Sequence, residues 1–320
     1  MMTASCFCAI SNANADFPEA VAPVKTIILS VDHMSYVITL IAAQKQENLL
    51  AVFREKILQQ ANITAEEWLR DGVACDIFVD KPVNIPAIAG VDVVCQPRAG
   101  RRKKMLISDM DSTLIHQECI DEMADMLGIK PQVAEITEIA MRGEMDFAEA
   151  LCARVALLEG LPENALQEVY DSRISLMEGA KILVSTMKAH GAYPLLVSGG
   201  FTFFTARVRD ALGFAADEAN ILEIADGKLT GKVIFPILDK HSKLAALQNT
   251  CQKLGINLGD SLAVGDGAND LPMLLGAGLG VAYHAKPLVQ QQARAVINYN
   301  DLSALLYLQG YKFDEWVALD

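Results

Sequence analysis

The sequence predicts a doubly wound α/β fold with a mostly parallel sheet, a small helical insert after its first strand, and a separate α+β unit ahead of it. From residue 104 on, short apolar runs that do not alternate with polar residues are separated by helical segments, the pattern of parallel strands covered on both faces. Residues 115–178 break that rhythm with helical sequence alone. Residues 34–97 order their elements differently, and the basic stretch "RAGRRKK" (98–104) separates the two regions.

In chain order, residues 1–33 read as a loose, poorly ordered extension. "ANA" resembles a signal cleavage site, but no basic segment precedes it and "CFCAI" is too short for an apolar leader core. "SYVITLIAA" suits a strand, "ENLLAVFREKILQQA" has helical apolar spacing, and "GVACDIFVD" and "VDVVCQP" suit further strands. With another strand within "AEEWLRD" and a short helix at "VNIPAIAG", the order strand, helix, strand, strand, helix, strand is ferredoxin-like. Residues 98–103 then form a flexible linker. The strands of the second domain (104–320) are "KMLIS", "YPLLVSGG", "SLAVGDG", "GLGVAYH" and "AVINY", and "EIADGKLTGKVIF" forms a hairpin turning at "DG". "IDEMADMLG" and "FAEALCARVALLEG" belong to the helical insert.

Bulk properties restrict the function. A chain of 320 residues, 52% hydrophobic and 21% charged, is a soluble globular protein of more than one core, with no apolar run of membrane-spanning length. Its net charge of −13 argues against nucleic acid or anionic lipid as a partner, and means that an anionic substrate needs local cations. Seven scattered cysteines without zinc-site spacing fit idle thiols in a reducing cytoplasm.

Four polar clusters each fall at the C-terminal end of a predicted strand, the edge where ligands collect in open α/β sheets, so the four could meet in space. In "SDMDSTLIHQE", Asp109 and Asp111 lie two apart on an extended segment, so both can reach one site, with Thr113 beside them. Two such carboxylates repel unless a cation or a shared proton relieves them, and oxygen-only ligands suit Mg²⁺; a turn or a helix cap is the other reading. Ser198 and Gly199 in "VSGGF" can line an anion pocket or form an ordinary strand-to-helix turn. In "DKHSKLAALQ", Lys243 opens a helix, unfavourably placed at the positive end of the macrodipole unless an anion is held there; Lys240 competes for the role. "VGDGANDLPML" adds Asp266 and Asp270 around Asn269, a second acid pair that completes a divalent cation site, although an N-cap also accounts for Asp270.

Taken together, "DMDST", "SGG", the Lys and "GDGAND" resemble the four motifs of the haloacid dehalogenase superfamily of phosphohydrolases, and the insert resembles its small cap domain. "MDSTLIHQECIDEMA", "MRGEMDFAEALCARVALLEGLP", "VSGGFTFFT", "DGKLTG" and "AVGDGANDLPML" resemble the phosphoserine phosphatases within it, over roughly residues 104–300. The resemblance implies hydrolysis of O-phosphoserine, the last step of serine biosynthesis. It makes Asp109 the nucleophile and Asp111 the acid and base. Mg²⁺ would be held by Asp109, the backbone carbonyl of Asp111, Asp266 and Asp270. Ser198, Gly199, Lys243, Thr113 and Asn269 would hold the phosphoryl group; Glu118 and Arg154 would face the substrate's ammonium and carboxylate, with Phe147 and Met141 as an apolar wall. By position alone, Glu118 is also a plain helix-start acid and Arg154 a residue of a solvated helix face.

The rivals are a phosphoserine-dependent phosphotransferase, a phosphatase of another small phosphate ester, a receiver domain that phosphorylates an Asp, and an amino-acid-sensing protein. The N-terminal unit resembles amino-acid-binding (ACT) domains, but "KQENLL" stands where that family has a Pro-Gly turn. Packing or homodimer formation therefore suits this unit as well as ligand binding.

Overall fold

The computed structural model describes residues 35–85 and 88–318, excepting the side chain of Met141; the expectation for residues 1–33 lies outside them. Two sheets make up the described residues. The smaller holds β1 (Tyr36–Ala42), β2 (Ile63–Arg70), β3 (Ala74–Val79) and β4 (Val91–Pro97), antiparallel in the order β2-β3-β1-β4, with α1 (Leu49–Leu58) after β1. Leu49, Phe53 and Ile57, at helical spacing on α1, are buried with Ile38, Leu40, Ile77 and Val79 of β1 and β3. The helix expected at 83–90 does not form among the described residues: Val83–Ile85 are irregular and Ile88 makes a single β-bridge to Val91. Pro82 and Pro86 account for this, since Pro86 has no N–H to give a helix and disfavours helical backbone at Ile85.

The larger sheet contains β5 (Met105–Ser108), β6 (Tyr193–Phe201), β7 (Ala216–Ala225), β8 (Lys228–Ile234), β9 (Ser261–Gly265), β10 (Leu279–Tyr283) and β11 (Ala295–Ile297), in the order β11-β10-β9-β5-β6-β7-β8. All neighbours are parallel except β7 and β8, which turn at Asp226 (φ +51°) and Gly227 (φ +72°), the paired positive values a tight hairpin needs. Alternation puts Leu106, Leu196 and Leu262 into one core, and Met105, Ile107, Leu195, Val197 and Ala263 into the other. The first core also holds Leu183 and Val184 of α6 (Ala180–Ala189) and Val208 and Leu212 of α7 (Thr202–Leu212). The second holds Leu247 of α8 (Lys240–Leu254) and Met273 and Leu274 of α9 (Leu271–Gly276). Two covered faces explain why these strands read as continuous apolar runs. The chain closes through α10 (Pro287–Gln292) and α11 (Ala304–Leu308).

Between β5 and α6 lie four helices: α2 (Cys119–Met126), α3 (Lys130–Met141), α4 (Phe147–Ala156) and α5 (Glu163–Arg173). The β7–β8 hairpin ties to this insert: Gly160 N–H donates to Leu229 O, and Leu229 N–H to Leu161 O. Gly231 permits the approach, since a Cβ there would lie 3.3 Å from the backbone of Ala156.

The stretch read as a flexible linker is packed. Arg101 and Lys103 are both buried; Arg101 makes a bidentate pair with buried Asp76 (2.6 and 3.0 Å), and Lys103 Nζ donates to Gly259 O at 2.8 Å. Composition alone marks such a stretch as solvated, whereas the partner that orders it is an acid in the middle of apolar β3.

Candidate active site

Register sets the site. Ser108 pairs with Leu196 of β6 and Val264 of β9, so the chain leaves the sheet at Asp109 beside the ends of both neighbours. Asp109 N–H still donates to Val264 O (3.1 Å), after which the chain coils into a turn in which Leu114 N–H reaches back to Met110 O.

Three acids converge at this rim. Asp109, Asp266 and Asp270 each offer a carboxylate oxygen within 4.8 Å of the others, so acids more than 150 residues apart in sequence could share one cation. Glycines permit it: a Cβ on Gly265 would lie 2.5 Å from Asp270 Cγ, and one on Gly267 would collide with Asn269 Oδ1. Lys243 Nζ, buried in the first turn of α8, sits 2.7 Å from Asp109 Oδ1 and 2.6 Å from Asp270 Oδ1. Lys240 is exposed, which decides between the two lysines. The two carboxylates provide the anion that a lysine at this end of a helix lacks. Burial alone would lower Lys243, but Asp109 and Asp270 outweigh it and raise it above an ordinary lysine.

Burial and the charge of Asp270 push Asp109 well above the usual carboxylate range, against the pull of Lys243. Its recorded contacts, from Lys243 Nζ and from Met110 N–H (2.8 Å), both fall on Oδ1. Asp111 is raised mainly by burial, although its carboxylate accepts Cys119 N–H (2.9 Å) and Ser198 Oγ–H (3.1 Å). Repulsion between the neighbouring aspartates, the cause expected from sequence, is secondary. Asp111's carboxylate stands outside the three-acid group.

Ser198 Oγ also accepts Gly200 N–H at 2.8 Å. A Cβ on Gly200 would stand 2.8 Å from Asp111 Oδ2, and one on Gly199 would stand 3.2 Å from the ring of Phe147, which the first turn of α4 brings over this loop. Thr113, expected against a phosphoryl group, donates to Asp266 Oδ1 (3.2 Å). Asp266 is raised by burial and by Asp270. Glu118 reaches solvent, yet it is enclosed by the cleft and close to Asp111; these push its carboxyl up to about 7, and Ser112 Oγ–H donates to it at 2.8 Å. Arg154 is half-buried with Asp121, Glu118 and Asp111 around it, and burial lowers it. The Met141 side chain lies outside the described residues.

Two contributors escaped the sequence reading. The Cys119 backbone N–H orients Asp111. Buried Asn220 on β7 donates to Gly199 O (2.8 Å) and accepts Leu238 N–H (2.7 Å), joining the Gly loop to the segment leading into α8. Its signal was an amide inside the strand "ADEANILEIA".

Comparison with known proteins agrees with this geometry. The family described as haloacid dehalogenase-like hydrolase matches residues 106–275, more than half of the chain. The chain belongs to this family. Among haloacid dehalogenase-like relatives, a phosphoserine phosphatase of Polaromonas sp. (strain JS666) is 51% identical over 210 residues, covering 64% of this chain and 89% of its own. A structure titled as a phospho-aspartyl intermediate analogue of phosphoserine phosphatase aligns with TM-score 0.60 and 39% identity, over 64% of this chain and 98% of its own. A probable phosphoserine phosphatase from Vibrio cholerae aligns with TM-score 0.71 and 29% identity over 90% of both chains, so that likeness extends into the smaller sheet. Among the described residues no helix is long and apolar enough to cross a membrane.

Proposed function

We propose that the chain hydrolyses O-phosphoserine to serine and phosphate, the last step of serine biosynthesis. The observation that carries this is the Asp109 carboxylate, anchored through one oxygen by Lys243 and Met110 N–H inside a buried three-acid group. An anchored carboxylate is a positioned nucleophile, since fixing the attacking atom removes much of the entropic barrier.

In this reading an Asp109 oxygen bonds to phosphorus as the bond from phosphorus to the seryl oxygen breaks. Asp111, held above its usual range by burial, gives its proton to the departing oxygen. It then takes a proton from the water that bonds to phosphorus while the link to Asp109 breaks, restoring both carboxyl groups. Lys243 and Ser198, with the Gly199–Gly200 backbone, hold the phosphoryl oxygens as charge shifts among them. The all-oxygen donor set of Asp109, Asp266 and Asp270, with the backbone carbonyl of Asp111, suits Mg²⁺. When bound, that ion supplies positive charge against the phosphoryl group and relieves the repulsion among the acids.

Helices α2–α5 act as the cap that reads the rest of the substrate: Glu118 toward its ammonium, Arg154 toward its carboxylate, and Phe147 as an apolar wall. The smaller sheet is a ferredoxin-like unit with an irregular segment in place of its second helix. The five cysteines among the described residues are free thiols, in keeping with a reducing cytoplasm.

The deciding assay is phosphate release across a panel of phosphorylated metabolites, with and without Mg²⁺. Preferred, Mg²⁺-dependent turnover of O-phosphoserine is expected. Preference for another ester, or capture of the phosphoryl group by an added amino alcohol, would replace this reading.

A further inference from the structure

Buried Asp111 presents its carboxylate oxygens to different neighbours. Oδ1 faces the start of α2 and accepts the Cys119 backbone N–H at 2.9 Å. Oδ2 faces the Gly loop: it accepts Ser198 Oγ–H at 3.1 Å, and a Cβ on Gly200 would stand 2.8 Å from it.

These partners differ in kind. A peptide N–H only donates, whereas a hydroxyl donates or accepts by turning about its C–O bond. Cys119 opens α2, and its N–H precedes the helical ladder, whose first bonds run from Asp121 and Glu122 N–H to Glu118 O. Glu118, the N-cap residue, makes no side-chain bond to the free groups of this helix start. The Cys119 N–H is therefore an orphan donor of a helix terminus, and Asp111 is the acceptor that satisfies it.

A proton on Oδ1 would crowd that N–H, donor against donor, or leave Oδ1 a weaker acceptor for it. A proton on Oδ2 meets no such conflict. Ser198 Oγ already accepts Gly200 N–H at 2.8 Å, and its own hydroxyl proton is then free to turn toward a phosphoryl oxygen.

We infer that the proton Asp111 delivers is carried on Oδ2, over the Ser198–Gly200 loop, and that the backbone N–H of position 119 is the positioning group that keeps it there. This rests on the hydrolytic reading above. In the transfer the leaving oxygen takes the electron pair of its broken bond to phosphorus and binds the proton as the Oδ2–H bond breaks. Glu118, proposed to meet the substrate's ammonium, is the preceding residue, so one helix start serves both recognition and proton delivery.

The test compares full-length chains that differ by this N–H alone: Cys119→Ala, and the same chain with L-lactic acid at position 119, which replaces the 118–119 amide by an ester. The readout is kcat/KM for O-phosphoserine, whose alkoxide needs the proton, and for p-nitrophenyl phosphate, whose leaving anion is stable without one. Losing the N–H should lower the first by about tenfold or more relative to the second, the worth of a hydrogen bond to a charged group. A group that only shapes the loop would lower both alike, so an unchanged ratio of the two esters overturns the inference. A parent chain with no turnover of O-phosphoserine overturns the proposed function instead, and the comparison then runs with the alkyl phosphate it prefers. If the ester-linked chain does not fold, Asp111→Asn decides by NMR, because its side-chain NH₂ stands in for the protonated oxygen. Contacts from that NH₂ to Gly200 N–H are expected; contacts to Cys119 N–H would overturn the inference.

Discussion

The molecule buries two basic side chains against acids, and the two sites are built to opposite ends. Arg101 meets Asp76 as one charge against one, in a fork completed by Thr39 Oγ1 (3.0 Å), Leu308 O (3.2 Å) and Tyr307 O (3.1 Å). Lys243 meets a group of three acids, which leaves negative charge in excess and Asp109 pushed well above its ordinary range. The first arrangement is closed: every charge has its counterpart and nothing further is called for. The second is open, and its imbalance matches a cation and a phosphoryl group. Burial of charge is therefore a weak pointer to function, whereas burial of unbalanced charge is a strong one.

The largest effect should come from Asp109→Asn. An amide keeps the shape but cannot form the phosphoryl ester, so turnover of O-phosphoserine should fall by ~10⁴-fold or more. The same change lowers the excess negative charge, so the metal-free variant should melt no lower than the parent. Retained turnover would remove Asp109 as the nucleophile.

Arg101→Ala should do the reverse. It leaves Asp76 buried without its partner, at a cost of about 3–5 kcal/mol read by denaturant unfolding, while kcat of the remaining folded protein is unchanged. Loss of kcat without loss of stability would mean that this ion pair takes part in catalysis.

These two residues also mark how far the sequence could be read. The parallel sheet, the hairpin at Asp226-Gly227 and the helical insert were legible because each depends on local period and turn chemistry. Asp109 and Asp266 were legible as a pair because each ends an apolar strand, and neighbouring parallel strands end at one rim. Arg101 was misread for the opposite reason: its partner Asp76 lies 25 residues earlier, and its other contacts lie 62 residues earlier at Thr39 and over 200 residues later at Tyr307 and Leu308, so nothing local distinguishes it from a solvated linker residue. The same limit hid Asn220 and left Lys240 and Lys243 undecided, since only tertiary packing separates a buried lysine from an exposed one three positions away.

Metal addition sharpens the contrast at smaller amplitude. Mg²⁺ at about 100 times its Kd should stabilise the parent by about 2.7 kcal/mol, and Asp266→Asn should lose most of that. Arg101→Ala, though less stable, should show the full increment. An increment unchanged in Asp266→Asn would place the ion elsewhere.

The smallest effect is in the pH profile, and it isolates the substrate's ammonium. Glu118 is raised to about 7 in the free protein, so it is neutral below that pH and charged above it. As pH falls through about 7, kcat/KM for O-phosphoserine should decline relative to that for p-nitrophenyl phosphate. The second ester shares the titration of the phosphate but has no ammonium for Glu118 to meet. Folding should respond in the matching sense. A carboxyl raised on folding disfavours the native state as pH rises from about 4.5 to 7, so Glu118→Gln should stabilise the protein at pH 8 and have no such effect at pH 4. Solvent access at Glu118 keeps that gain small. If the two esters keep a constant ratio across this range, Glu118 is the plain helix-start acid that its position also allows.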